Sequence, residues 1–260
     1  GAMGFSGWAY HILNHAFFKT AMFLMVGSIY LRTHDLSYSK LGGLWRKFPV
    51  TAVAFLMAGA AISGVPGFNG YVSKTLLHHA IVEAFEHHGA ISLWYAEKIF
   101  TITGGLTVCY VARLFYSIFL GPAKGSSEKY AQESPLERFI FASFAAVLLY
   151  GGLAYSQVIH KIILPMSNSF VYDDYFLNYV AKTNVWNWAD FSAISLSLAI
   201  GAVVYFLLSR FDFKLPLPKK LSVEHLLYKP VLNYLIISFM FVFRGLEFIV
   251  EGTLVKGLRP

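Results

Sequence analysis

The stretch Gly7–Leu31, GWAYHILNHAFFKTAMFLMVGSIYL, is apolar for long enough to cross a bilayer, yet it carries His11, His15 and Lys19. An ionisable side chain near mid-membrane costs about 2.5–3.5 kcal/mol on insertion scales, so such residues face a protein interior or a wet cavity and mark ion paths. The three recur at i, i+4 and i+8 and fall on one face of a helix. The chain is thus held to a membrane-spanning helix with a polar seam along it. Proton or cation movement is the leading reading.

Composition agrees with a membrane protein. The 260 residues are 57% hydrophobic and 13% charged, against about 25% charged in a soluble domain. The net charge of +7 could suit nucleic acid. The basic residues, however, sit in loops between apolar spans, which is a membrane-topology pattern, and no nucleic-acid partner is expected. The single cysteine, Cys109, lies in an apolar span and excludes an intrachain disulfide. The start, GAMGFSG, has no basic region of a signal peptide. It reads as a tag remnant or as the interior of a longer protein.

Five crossings are expected, giving an all-α membrane protein with one broken helix and a C-terminal amphipathic helix. The first is Gly7–Leu31. The second runs from Pro49 to about Phe85, which as one helix would measure about 55 Å. That is too long for one span and too short for two with a turn. Its centre, GVPGFNG, holds the breakers Gly64, Pro66, Gly67 and Gly70. The economical reading is one crossing made of two half-helices around an unwound centre, with Lys74 just beyond the break. Such breaks are tolerated where protein or water satisfies the freed backbone groups. The third crossing is Ile99–Leu120, with an amphipathic lead-in Ile91–Lys98 and Arg113 inside it. The fourth is Phe139–Tyr155 and the fifth Phe191–Ser209. Domains are expected at 1–157 (transmembrane core), 158–190 (interfacial loop with Tyr172, Asp173, Asp174, Tyr175, Trp186 and Trp188), 191–221 (a further span and basic linker) and 222–260 (amphipathic lateral helix).

Loop charge sets an orientation. Arg32, Lys40, Arg46 and Lys47, then Lys124, Lys129 and Arg138, then Arg210, Lys214, Lys219 and Lys220 share one side if the broken segment crosses once. The other side offers mainly Lys161 and Lys182. By the positive-inside rule the basic side is cytoplasmic, and the C-terminus lies there. Ser222–Gly252 places Arg244, Glu247 and Glu251 on one face. That favours a helix lying along the membrane or bracing a neighbour over a sixth span.

Four motifs, HILNHAFFKTAMFLMVGSIY, KLGGLWRKFP, AGAAISGVPGFNGYVSK and YVARLFYSIFLG, come in the order and spacing of the antiporter-like membrane subunits. Those subunits occur in respiratory complex I, Mrp-type sodium/proton antiporters and energy-converting hydrogenases. The resemblance covers about Gly7–Gly121 and is loose from Phe139 onward. It implies that the chain corresponds to the second of two pseudo-symmetric halves plus a C-terminal extension. It also implies roles by position: Lys19 as the helix lysine, His11 and His15 as relays behind it, and Lys74 as the relay terminus. In some relatives an acidic residue follows that last lysine. Here the position is Thr75, so any acid at that step is absent or comes from elsewhere.

Desolvation disfavours a charged lysine, and histidine titrates near neutrality, so both residue types can load and release protons. Residues four apart lie about 6 Å apart along the axis, a gap one water can bridge. Bland alternatives stand beside each assignment. Lys19 could pair with a structural carboxylate, although its central position argues against snorkelling. Lys74 could satisfy carbonyls at the break. Arg113, a further candidate, could snorkel from near its helix end. His78, His79, Glu83, His87 and His88 have spacings that can bind metal, but a polar outer end of the broken helix is favoured and no metal is expected. Ser126–Glu133 reads as a solvated loop. With no nucleotide-binding glycine pattern, cluster-binding cysteines or triad, neither redox chemistry, a catalytic residue nor a cofactor is expected in the chain.

The reading is therefore a proton or Na⁺/H⁺ translocating subunit of a larger redox-driven or antiporter complex, in a cytoplasmic or equivalent organelle membrane. Its partners would be other membrane subunits, the lipid bilayer and H⁺ or Na⁺. The rival is a structural subunit that anchors or seals such a complex without conducting. The absent first half favours the rival; the retained histidines and lysines oppose it.

Overall fold

The computed structural model describes residues 1–37, 40–122, 130–167, 174–210 and 224–249. Residues 1–211 and 212–260 form two compact units. Lys124, Lys129, Tyr172, Asp173, Lys214, Lys219, Lys220 and Glu251 lie outside the described residues, as does the side chain of Glu247.

The first unit is helical. Helix α1 spans Ala2–Thr33 and ends at His34, which turns left-handed and donates its N–H to the Tyr30 carbonyl. Helix α2, Pro49–Ser63, starts with proline at its first position, where a missing N–H costs nothing. Helix α3 is Asn69–His88. Helix α4, Ile91–Phe115, runs without interruption from the expected lead-in and continues into a π-helical turn, Tyr116–Leu120. Helix α5, Pro135–Leu153, opens with a capping box between Ser134 and Glu137. Short helical pieces follow in the stretch read as an interfacial loop: α6 Tyr155–Val158, a π turn Ile159–Ile163, α7 Leu164–Ser167 and α8 Asp174–Lys182. Ile159, Ile163 and Val180 from these pieces are buried. Helix α9 is Trp188–Arg210. Four of these segments, Ala2–Thr33, Ile91–Leu120, Pro135–Leu153 and Trp188–Arg210, are long and apolar enough to cross a membrane. In the second unit a π turn, Glu224–Tyr228, leads into α10, Lys229–Ile249, on which Arg244 is exposed.

The break falls where the glycines and proline put it. Gly64 at φ +83° closes α2, with its N–H donating to the Ala61 carbonyl (3.0 Å) and the Val65 N–H to the Ala60 carbonyl (2.9 Å). This is the Schellman arrangement, which satisfies carbonyls a helix end would otherwise orphan. Helices α2 and α3 then run one after the other along α1. At one end the Arg32 guanidinium lies over the Phe48 ring, 5.8 Å from its centroid. Midway, Asn14 Nδ2 donates to the Asn69 carbonyl at 2.8 Å. Further on, His11 Nδ1 lies 3.1 Å from Ser73 Oγ, and a Cβ at Gly4 would lie 3.5 Å from Ala80 Cβ. The contacts progress from residue 32 down to 4 on α1 while rising from 48 to 80 on the broken path. The two half-helices therefore continue in one direction, antiparallel to α1.

Two cores flank the break. One gathers Phe18, Met25, Phe55, Phe119 and Leu148; the other gathers Tyr10, Tyr71, Leu76, Ile163 and Val180. Helices surrounded by lipid gain little from hydrophobic burial, so close backbone approach matters more. Helices α4 and α9 meet that way: a Cβ on Gly201 would lie 2.5 Å from the Gly105 carbonyl oxygen. Gly70 is tighter, since a Cβ there would overlap the Ala61 carbonyl.

One end of the bundle is tied by charge. Arg32, expected in a loop, lies in the last turn of α1 and forks onto Glu137, with Nη1 2.8 Å from Oε1 and Nη2 2.6 Å from Oε2. Ser28 Oγ donates to the same Oε1 at 2.7 Å. Glu133, expected in a solvated loop, is instead buried. It accepts from the Val50 N–H (3.3 Å) and the Thr51 N–H (2.7 Å). Its carboxylate caps the N-terminus of α2, where unsatisfied N–H groups and the helix dipole favour negative charge.

Candidate functional site

The α1 seam divides into two environments. His11 is partly buried and faces α3, where its Nδ1 meets Ser73 Oγ; that hydroxyl donates to the Gly70 carbonyl at 3.3 Å. Asn14, between the histidines, is 2% exposed and holds the break through Asn69. His15 is exposed, 6.3 Å from the His11 ring centroid and edge-on to Phe18. Lys19 is partly exposed. Neither His15 nor Lys19 reaches the break, so the structure does not gather all four predicted relay residues into one enclosed path.

Lys74 is where the predictions converge. It follows Ser73 directly, and its side chain folds back against the break. A Cβ on Gly64 would lie 2.9 Å from Lys74 Cδ and 3.7 Å from its Nζ. The lysine lines a cavity of about 140 Å³ between α3, α4 and α9, together with His78, Thr101, Thr103, Thr107, Asp190 and Ser197. Phe100, Ala193 and Ile194 also line it, so these polar groups sit in a largely apolar wall.

The histidine cluster on α3 splits. His78 Nε2 lies 3.3 Å from Glu97 Oε1 on α4. His79 Nε2 lies 2.6 Å from Asp190 Oδ1 on α9. Asp190 is 5% exposed, and Asn187 Nδ2 donates to its second oxygen at 2.6 Å. Asn187 is also the N-cap of α9, accepting the Asp190 N–H at 2.9 Å. The carboxylate thus sits in the first turn of α9, on the favourable end of its dipole. Glu83 accepts from the Tyr179 hydroxyl at 2.7 Å. Arg113 is exposed on α4. Sequence reasoning did not single out Asn14, Ser73, Glu97 or Asp190. The N-x-x-D pattern at Asn187–Asp190 was the available signal for a capped, carboxylate-bearing helix start.

Comparison with known proteins places this geometry. Residues 1–100 match the family described as NADH:quinone oxidoreductase/Mrp antiporter, transmembrane. Those residues resemble the transmembrane part of that family, and the chain, with four helices long and apolar enough to span, is an integral membrane protein. Among curated relatives, formate hydrogenlyase subunit 3 of Escherichia coli K12 is 29% identical over 59% of this chain and 26% of its own length. Hydrogenase-4 component B of the same organism is 33% identical over 51% of this chain and 20% of its own. F(420)H(2) dehydrogenase subunit L of Methanosarcina mazei is 31% identical over 62% and 25%. The chain spans about a quarter of the length of these relatives. The fold is similar to the Mrp complex of Dietzia sp. DQ12-45-1b, with TM-score 0.50 and 19% identity over 76% of this chain and 40% of that one.

Proposed function

We propose that this chain is part of a proton-translocating, antiporter-like subunit of a larger membrane complex, and that Lys74 is the titrating group at its broken helix. The observation that carries this reading is the placement of Lys74. Its ammonium lies against the Gly64 break, and Lys74 lines a cavity with His78, Asp190 and several hydroxyls, while the preceding residue, Ser73, contacts His11 on α1. A break lined by one cation and several hydroxyls is costly in a membrane, and a purely structural helix does not need it. His11, Ser73 and Lys74 supply the proton-handling groups on the α1 side. His15 and Lys19 extend that line along the more open face of α1, which in the complete complex would meet the other half of the subunit or a neighbouring one.

The complex supplies the driving reaction, either redox chemistry in partner subunits or a cation gradient. The names of the relatives, drawn from hydrogenases, a dehydrogenase and antiporters, support membrane partners of this kind. The distribution of basic loop residues supports a cytoplasmic C-terminus. The test is proton uptake by inverted vesicles carrying the parent complex. Lys74→Ala should assemble normally and abolish uptake, and Lys74→Arg should not restore it, because arginine does not deprotonate. Full uptake by both variants would favour a non-conducting structural role.

A further inference from the structure

Lys74 has no acid beside it on its own helix, since the next residue is Thr75. A carboxylate that shares its cavity comes from α9. Asp190 lines the 140 Å³ cavity that Lys74 lines, and it also lines a second cavity of about 320 Å³, whose walls include His79, Glu83 and Tyr179. The two cavities share His78, Asp190 and Ala193. Asp190 with its hydrogen-bonded partner His79 therefore stands between the Lys74 cavity and an open groove nearer the C-terminal end of α3. Each volume exceeds that of several waters, at about 30 Å³ per molecule in the liquid.

We infer that the Asp190–His79 pair is the proton-transfer gate that connects Lys74 to the open groove lined by Glu83 and Tyr179. This inference rests on the proposed role of Lys74 and adds the route beyond it. The pair is built for the task. His79 Nε2–H donates to Asp190 Oδ1, and Asn187 fixes the other carboxylate oxygen, so the carboxylate is held still and cannot swing to a different partner. In the forward direction an N–H bond of the Lys74 ammonium breaks and the proton passes through water in the first cavity. An O–H or N–H bond forms on the pair, which carries one extra proton. The pair then releases one proton to water on the Glu83 side and returns to its resting state. One proton moves, no electrons are transferred, and the reverse direction uses the same steps.

A carboxylate that only capped α9 would be replaceable by its amide. Asn187 and the N–H of residue 190 form the cap, and neither depends on charge. A transfer group needs a titratable side chain. The experiment compares proton uptake in inverted vesicles carrying the parent complex with Asp190→Asn, Asp190→Glu, His79→Gln and Lys74→Ala, after native gels establish assembly. The expected result is that Asp190→Asn and His79→Gln assemble but lose uptake by about a hundredfold or more, the lower range for a missing proton-transfer group. Asp190→Glu, which restores a titratable carboxyl, should recover most of it. Normal uptake by Asp190→Asn beside an inactive Lys74→Ala overturns the gate and leaves the role of Lys74 standing. Normal uptake by Lys74→Ala overturns the proposed function itself. Should Asp190→Asn fail to assemble, His79→Gln decides. Its amide still donates to Asp190 but does not titrate, so full uptake overturns the gate and lost uptake supports it.

Discussion

Asn14 donates its side-chain amide to the main-chain carbonyl of Asn69, 2.8 Å away, across the junction where the broken crossing restarts. The two residues are 55 positions apart in sequence and both almost wholly buried. Asn69 opens α3, so its carbonyl already accepts within the helix, and the Asn14 amide is a second donor that ties α1 to the restart of the crossing. That tie lies one helical turn beyond His11 on α1.

Replacing Asn14 by Leu keeps the side-chain size but removes the buried hydrogen bond that joins α1 to α3. A net intramolecular hydrogen bond is worth about 0.5–1.5 kcal/mol, so Asn14→Leu should lower the thermal midpoint of the purified protein in detergent. Asn14→Asp should do no better, because an ionised carboxylate only accepts. An unchanged midpoint for Asn14→Leu would show that this hydrogen bond contributes nothing to stability.

The Arg32–Glu137 fork joins α1 to the start of α5, with side chains 14% and 22% exposed. Hydrogen bonds to charged groups are worth about 1.5–3 kcal/mol each way. Arg32→Met and Glu137→Gln should each destabilise by about that amount. The double variant should cost less than the sum, since each single change already removes the pair. Strict additivity in denaturation midpoints would mean that the fork contributes nothing as a pair.

The antiparallel track of α2 and α3 along α1 has a topological consequence. Lys47, just before α2, and His87, near the end of α3, stand at opposite ends of that track. In a Cys109→Ser background, cysteines at 47 and 87 should react with an impermeant reagent from opposite sides of the membrane. Labelling of both from one side would refute a single broken crossing.

Much of this was legible in the sequence because its causes are local. The break at Gly64–Phe68 follows from glycine and proline chemistry, and the long spans follow from unbroken apolar runs. Lys74 was legible for the same reason, lying a few residues beyond a predicted interruption. What depends on distant partners was not. Glu133 reads as solvated until the Val50 and Thr51 N–H groups, more than eighty positions away, come to it. Asp190 reads as one acid in a polar linker until α9 carries it to His79, 111 positions earlier. Periodicity put His11, His15 and Lys19 on one face of α1, but how far around that face α3 reaches is set by packing. The result buries Asn14, covers part of His11 and leaves His15 exposed.

The most direct measurement is proton uptake by inverted vesicles carrying the parent complex with Lys74→Arg. Arginine keeps the positive charge and most of the side-chain volume in the cavity but does not release a proton at any physiological pH. If Lys74 works by losing and regaining a proton, the variant assembles and its uptake falls to the background of vesicles lacking the complex. Wild-type uptake by Lys74→Arg would contradict the account, leaving Lys74 as a fixed charge that only stabilises the break.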